Sequence, residues 1–484
     1  METSPVPHIV IIGGGIAGLA AAHRLQEISR EREYPLQCTL LEASDRLGGT
    51  LATEKRDRFL LELGPDSFIS EKPWALALCR RIGLESELIG TQDQHRATFV
   101  VHHGKLEPLP EGFMLMAPTQ VGPLARSRLF SWPGKLRMAL DLVLPRAGER
   151  EDEGLGAFVR RRFGREALER VAQPLIGGIY TADPERLSLA ATMPRFLQME
   201  REYRSVIYAM WQASRKKPHE ATGASGARWS LFVTLRDGMQ TMVEALAVRL
   251  RGTVQYGQAV ESIRQDHERW LVNIRRGETL EAAGVVLATP AFQAAQLVQE
   301  LNSPLSAQLG SISYSSAATV NLAFRRDQVP HPLNGFGFVV PHRENRKIIA
   351  GTFSSVKYAG RAPEGHVLLR AFVGGSLQAE LFDRDDDEIE NMVKEELRQL
   401  LGVTTAPLFV RIARYPRSMP QYLVGHLSLV DTIEKTVAQH PGLAVAGNAY
   451  RGVGIADCVR SGEAAAEAVL GKLIQQRVNQ ATRN

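Results

Sequence analysis

Residues 8–19 read His-Ile-Val-Ile-Ile-Gly-Gly-Gly-Ile-Ala-Gly-Leu, and this stretch decides the fold. Ile9 to Ile12 form a short apolar run of the kind that makes a buried parallel strand. Gly13, Gly15 and Gly18 then spell G-x-G-x-x-G, and Ala17 onward has the composition and spacing of a helix. Strand therefore passes straight into helix. The first glycine permits the tight turn, the second lets backbone approach a pyrophosphate, and the third lets the helix pack closely on the strand. A dinucleotide pyrophosphate is expected on the helix N-terminus, among Gly13, Gly14, Gly15, Ile16, Ala17 and Gly18, where unpaired N–H groups and the helix dipole favour an anion. A ligand-free glycine-rich turn is the plainer alternative.

The next thirty residues weigh against that alternative. A second apolar run, Cys38 to Leu41, ends at Glu42, an acid placed to hold a ribose hydroxyl, and its spacing from Gly18 fits one βαβ unit. Next comes Ala43-Ser44-Asp45-Arg46-Leu47-Gly48-Gly49, which resembles the extended dinucleotide signature of flavin oxidases rather than that of nicotinamide dehydrogenases. FAD is therefore the expected cofactor.

The 484 residues suffice for two or three domains, and 44% hydrophobic with 23% charged residues is ordinary for a globular chain. Net charge is +5. The basic runs Arg160-Arg161-Arg162 and Arg215-Lys216-Lys217 read as solvated helix faces or loops, so nucleic-acid binding is not expected, while the mild positive bias suits a polycarboxylate substrate or an anionic membrane surface. Cys38, Cys79 and Cys458 have no metal-ligand spacing and read as buried thiols of a reducing compartment; no metal is expected. Met1 to Pro5 lack the basic start of a signal peptide, and no apolar stretch reaches the roughly 20 residues that cross a bilayer. A cytoplasmic protein, at most peripheral to a membrane, is the expectation.

Residues 59–69 read as a strand ending in a Gly-Pro turn, so Gly64, Pro65, Asp66 and Ser67 are placed to line a flavin ring. Lys72 either projects into the adjoining cavity or is an exposed lysine before Pro73. A helix is expected over Trp74–Leu88 and a hairpin over Phe99–Leu106. Residues 110–145 interleave Phe113, Phe130, Trp132 and Leu136 with Arg126, Arg128, Lys135 and Arg137, which fits either a membrane interface or a helix over a substrate channel. Residues 153–171 read as a basic helix, and Gln173 to Tyr180 as a break whose glycine pair admits something flat, or as a plain interhelical turn. Residues 215–227 look like a flexible loop.

The nucleotide fold then resumes. A strand brings an adenosine contact to Val260, Ala283 to Pro290 is an apolar strand closed by Thr289-Pro290, and β-like runs at 318–324, 335–341, 347–353 and 367–373 suggest an antiparallel sheet. A helix over Asp385–Leu401 carries acids at its N-terminal end, where the dipole favours them. Finally, a strand runs into Gly447 and a turn through Gly452 and Gly454 opens a helix. Its N–H groups near Val453, Gly454 and Ile455 are placed to stabilise negative charge on a reduced flavin ring.

With these motifs in order, the chain resembles the flavin amine oxidase superfamily from end to end. Glu62-Leu-Gly-Pro-Asp-Ser-Phe68, Pro174-Leu-Ile-Gly-Gly-Ile-Tyr180, Met419-Pro-Gln-Tyr422 and Gly452-Val-Gly-Ile-Ala-Asp-Cys458 are more narrowly similar to the porphyrinogen oxidases of haem biosynthesis, the bacterial coproporphyrinogen III oxidases in particular and the protoporphyrinogen oxidases next. The resemblance implies an α/β architecture of the flavin monoamine oxidase type. A discontinuous Rossmann-like FAD domain would span 1–75, 228–300 and 425–484, with a helical subdomain at 76–227 and a β-rich substrate domain at 301–424. It implies removal of six electrons from a porphyrinogen in three rounds, O2 as acceptor, H2O2 as product, and downstream haem-pathway enzymes as protein partners. Lys72, Tyr180, Met419 and Tyr422 would line the substrate cavity. Gly13 to Gly18, Glu42, Ala43, Arg46, Gly48, Gly49, Gly64 to Ser67, Val260, Tyr415 and Val453 to Ile455 would hold FAD. Tyr415 stands where such relatives carry tryptophan. No acid–base constellation stands out, so no catalytic residue is assigned. A flavin amine oxidase or desaturase on the same scaffold is the competing enzyme reading, although Ala449-Tyr450 offers one aromatic residue where amine oxidases often show a pair.

Overall fold

The structure, a computed structural model, describes residues 6–92, 94, 96–114, 116–148, 152–216, 230–250, 252–275 and 277–481. His8–Ile12 is the central strand of a five-stranded parallel sheet whose order is Val254–Gln255, Gln37–Leu41, His8–Ile12, Gly284–Leu287 and Leu443–Val445. Buried on both faces, Ile9, Val10 and Ile11 are wholly inaccessible, which is why the run is apolar without alternation. Helix Ile16–Glu31 packs on one face beside the C-terminal helix Ile455–Ala481. The two approach closely because a β-carbon at Gly462 would lie 2.0 Å from the carbonyl oxygen of Ala17. On the other face lie helices Ala291–Leu297, Ser303–Gly310 and His426–Val437 and a three-stranded antiparallel sheet of Val260–Asp266, Arg269–Ile274 and Thr279–Ala282.

The β-like runs form a second, seven-stranded sheet in the order Phe409–Pro420, Tyr314–Arg325, His366–Gly374, Ala350–Phe353, Gly337–Val339, Thr98–His102 and Lys105–Pro108. Its last two strands form the expected hairpin, but they join this sheet rather than the helical segment of 76–227, through a parallel pairing of Thr98–Val100 with Gly337–Val339. Helix Asp386–Leu401 covers the sheet, and Asp385 caps it by accepting from the amide of Glu388 at 2.8 Å.

Helices dominate the described residues of 121–216, and three helical elements of the chain differ from expectation. The helix from Pro73 stops at Arg81, where Gly83 takes φ +75° and a short 3-10 turn follows. The basic helix is broken at Gly164, whose φ is +92°. Gln173–Tyr180 is itself helical, continuing a wide turn over Leu168–Ala172, and Pro174 stands directly after that turn. The run Arg160-Arg161-Arg162 is spent internally. Arg162 is fully buried on Asp141 at 2.8 Å, Arg161 bridges Glu153 and Glu200, and Arg160 meets Glu185. Most of the 215–227 loop lies outside the described residues.

Candidate active site

The turn after the first strand is built to receive a dinucleotide. The amide of Gly13 donates to Leu41 O at 2.8 Å, which ties the turn to the neighbouring strand. Glu42 accepts from the amide of Gly14 at 2.7 Å through one oxygen and from the amide and hydroxyl of Ser44 through the other. A β-carbon at Gly14 would strike Leu47 and Glu42, whereas one at Gly15 would meet nothing within 4 Å, so space opens at the helix N-terminus where a pyrophosphate needs it. Gly48 donates to Gly14 O at 2.9 Å, and Arg46 folds back onto the carbonyls of Leu47, Gly49 and Leu51. The Ala43–Gly49 segment thus backs the glycine turn. The strand beginning at Val260 reaches the same place, since Gly257 and Gln258 donate to the carbonyls of Ser44 and Glu42.

Two further turns extend the groove. The Gly64–Ser67 turn is fixed from beneath by Arg370, which donates to the carbonyls of Leu63 and Gly64, and by Lys357, whose ammonium lies 2.9 Å from Asp66. Burial opposes the Asp66 charge, but Lys357 and Arg370 outweigh it and hold the carboxyl well below its usual range. The Tyr415 hydroxyl lies 3.5 Å from where a β-carbon on Gly64 would sit, on the same side as Arg370. In the second turn the amides of Val453, Gly454 and Ile455 find no acceptor among the described residues. Those of Gly454 and Ile455 are among the orphan donors of the long C-terminal helix, and Val453 immediately precedes them.

Lys72 is not a free surface lysine. Its ammonium lies 2.6 Å from Asp457, which is 4% exposed in the first turn of that helix, although the lysine side chain keeps about two-fifths of its own exposure at 43%. Tyr180, at the end of the helix from Gln173, faces the same acid; burial, then the Asp457 charge, push its phenol up to about 12. Met419 lies opposite Ser315 in the long strand pair. Tyr422 does not line a cavity. It is 1% exposed, and its hydroxyl is used up by Asn448 O and the amide of Gly452. Sequence reasoning missed Asp457, Lys357, Arg370 and His426. The signal for Arg370 is a charged residue inside the apolar run Leu368-Leu369-Arg370-Ala371-Phe372; for Asp457, the acid inside a turn otherwise made of small and apolar residues. Among the described residues no cluster of His, Cys, Asp and Glu could hold a metal ion.

A pyrophosphate cradle, an acid at the ribose position and free helix-start amides beyond a sharp turn fit a flavin dinucleotide, and the site is that of an FAD-dependent oxidoreductase. The chain belongs to the flavin-containing amine oxidoreductase family, whose model matches residues 16–470. It is 36% identical over 462 residues to the coproporphyrinogen III oxidase of Bacillus subtilis (strain 168), covering 95% of this chain and 97% of that protein. It is 34% identical to that of Propionibacterium freudenreichii subsp. freudenreichii, over 99% of this chain and 93% of that one. Among solved structures, a candidate protoporphyrinogen oxidase from Exiguobacterium sp. 255-15 superposes with a TM-score of 0.85 at 31% identity, covering 97% of this chain and 100% of that one.

Proposed function

We propose that this protein oxidises coproporphyrinogen III to coproporphyrin III in haem biosynthesis, removing six electrons in three rounds and delivering them to three O2 with release of three H2O2. The observation that carries the reading is the meeting at one helix start of three unused amides, Val453 to Ile455, with the Lys72 ammonium held on Asp457. The first suit an electron-rich ring and the second suits a substrate carboxylate. When bound, FAD supplies the two-electron acceptor and its reoxidation by O2.

The chain's own part is placement. Gly13 to Ala17 hold the pyrophosphate, Glu42 the ribose, Gly64 to Ser67 and Tyr415 one edge of the ring, and Val453 to Ile455 another. Lys72 pairs with a propionate, while Tyr180 and Met419 form apolar walls. Because the macrocycle gains aromaticity, fixing a meso carbon over the ring supplies much of the rate by proximity. A carboxylate-rich substrate also fits the +5 net charge. We read 1–75, 228–300 and 425–484 as the FAD domain, with the hairpin of 98–108 counted among the strands of the substrate domain.

No helix among the described residues is long and apolar enough to cross a membrane. Trp132, Leu136 and Val143 are nevertheless 68, 68 and 67% exposed, with the Lys135 ammonium over the Trp132 ring. We read this surface as a peripheral contact with an anionic bilayer, where haem-pathway enzymes that take up the porphyrin would also meet the protein.

The decisive assay follows the growth of porphyrin fluorescence in air with coproporphyrinogen III and protoporphyrinogen IX offered separately, against an enzyme-free control for autoxidation. Faster turnover of the four-carboxylate substrate is expected. Preference for the two-carboxylate substrate would move the protein to the protoporphyrin branch, and turnover of neither would reject a porphyrinogen oxidase.

A further inference from the structure

We propose that Tyr422 and His426 form a clamp that sets the position of the flavin-facing turn, which makes them positioning residues for the oxidation. The inference rests on reading Val453 to Ile455 as the amides that face the ring.

Backbone groups of three alternate residues of the preceding segment, Asn448, Tyr450 and Gly452, are held by these two side chains. The Tyr422 hydroxyl donates to Asn448 O at 2.6 Å and accepts from the amide of Gly452 at 2.8 Å, so one phenol spans both ends of the turn. Between them, Nε2 of His426 bonds Tyr450 O at 2.9 Å; a carbonyl can only accept, so this nitrogen carries the proton. The two rings stack with centroids 3.9 Å apart and planes 14° from parallel, and the residues are 1% and 4% exposed. Each side chain thus fixes the rotamer of the other.

The turn needs this support. Gly452 adopts φ +142°, and a β-carbon there would lie 2.3 Å from Cγ of Asp457, so its backbone is held in a conformation that side-chain-bearing residues avoid. Without the phenol, the amide of Gly452 and the carbonyl of Asn448 would lose their partners in a partly buried place, which costs more than a surface bond does.

The clamp is also where three parts of the chain meet. Tyr422 lies two residues beyond the strand that carries Tyr415 and Met419, and its carbonyl accepts from the amide of Ser188 at 2.7 Å, in the helical segment beyond Tyr180. A shift at the substrate wall is therefore passed through one side chain to the amides at the ring. That is why the effect should appear in the electronics of the flavin and in kcat.

The test is Tyr422→Phe in the holoenzyme, which keeps the ring and the stack and removes both hydrogen bonds. Its comparator is Ser205→Ala, because the Ser205 hydroxyl is equally buried, donates to Asp141 at 2.7 Å and accepts from the amide of Tyr208 at 3.1 Å in the helical segment. Tyr422→Phe should shift the flavin midpoint potential to more negative values, alter the visible circular dichroism of bound FAD, and lower kcat at least tenfold with KM within twofold. Ser205→Ala should lower Tm and move none of these. If Tyr422→Phe is isolated without flavin, FAD titration should show at least tenfold weaker binding to a protein whose far-ultraviolet circular dichroism is that of the wild type. Unchanged potential, flavin spectrum and kcat in Tyr422→Phe overturn the clamp. Gly454→Ala then separates the causes: a changed flavin spectrum in that variant alone rejects the clamp and keeps the turn at the ring, and no change in either rejects both.

Discussion

Glu62 should make stability depend on pH, in a way that Glu62→Gln removes. The carboxyl is 5% exposed, and burial raises its pKa from the usual 4.5 to about 7 against the opposing pull of the Met239 amide, Arg361 and the Thr53 hydroxyl. Met239 donates to one oxygen at 2.8 Å and Thr53 to the other at 2.9 Å, while Arg361 spends its donors on Thr234, Leu235 and Arg236. A carboxyl whose folded-state pKa lies above its unfolded value stabilises the fold while protonated. That contribution is complete below about pH 4.5 and is lost as pH rises through about 7. The span of about 2.5 units at 1.36 kcal/mol each corresponds to about 3 kcal/mol.

Glutamine keeps the shape and an acceptor for Met239 but never ionises. Its stability relative to wild type should therefore rise by about 2.5 kcal/mol between pH 5 and pH 8, from a starting point set by the altered Thr53 bond at about 1 kcal/mol. Differential scanning of both proteins at pH 5, 6, 7 and 8 measures this, because all other titrations are shared and cancel in the difference. Parallel Tm curves, offset by a constant, would refute the reasoning.

Glu42→Ala should weaken FAD retention by roughly 1 to 3 kcal/mol, the range for hydrogen bonds to a charged group; equal flavin affinity by titration would show that the strand end is misplaced. Lys72→Ala should raise KM with unchanged flavin content and also lower Tm, because it leaves Asp457 buried without its ammonium. Adding Asp457→Asn should restore Tm but not KM, and a restored KM would return Lys72 to a structural role. Trp132→Ser should reduce co-sedimentation with anionic phosphatidylglycerol vesicles severalfold and leave turnover of soluble substrate unchanged. Equal sedimentation of the two proteins would remove the bilayer from the reading of that surface.

The parts of the fold that could be read from the chain are those whose physics is local. The strand at Ile9, the glycine turn, Glu42 and the helix-opening Gly452-Val453-Gly454 each require particular residues within a few positions, so the requirement shows in the order of letters. Gln173–Tyr180 was obscured because Pro174 and two glycines are poor helix formers in isolation; burial of Ile176 and packing of the preceding wide turn decide its conformation. The hairpin at 98–108 shows locally, but its parallel partner lies some 240 residues away, and nothing near it announces that pairing. Tyr422 is the same lesson at a single residue. Its motif marks the neighbourhood of the substrate, whereas the direction of its side chain is set by Asn448, Gly452 and His426.

The acids nearest the site share one property that bears on mechanism. Asp66 is held by Lys357, Asp457 by Lys72, and Glu62 by the Met239 amide and the Thr53 hydroxyl. A general base must reach the proton it takes, and a carboxylate tied to a cation or to fixed donors is not free to swing onto it. The amides at 453–455 have no acceptor among the described residues and Lys72 keeps an exposed part, and donors attract negative charge rather than remove protons. The protein side of the reaction is therefore electrostatic and geometric. Substitutions at these acids should first be seen in Tm, in KM and in the spectrum of the bound flavin, and a pH–rate profile should keep its shape when any one of them is made neutral.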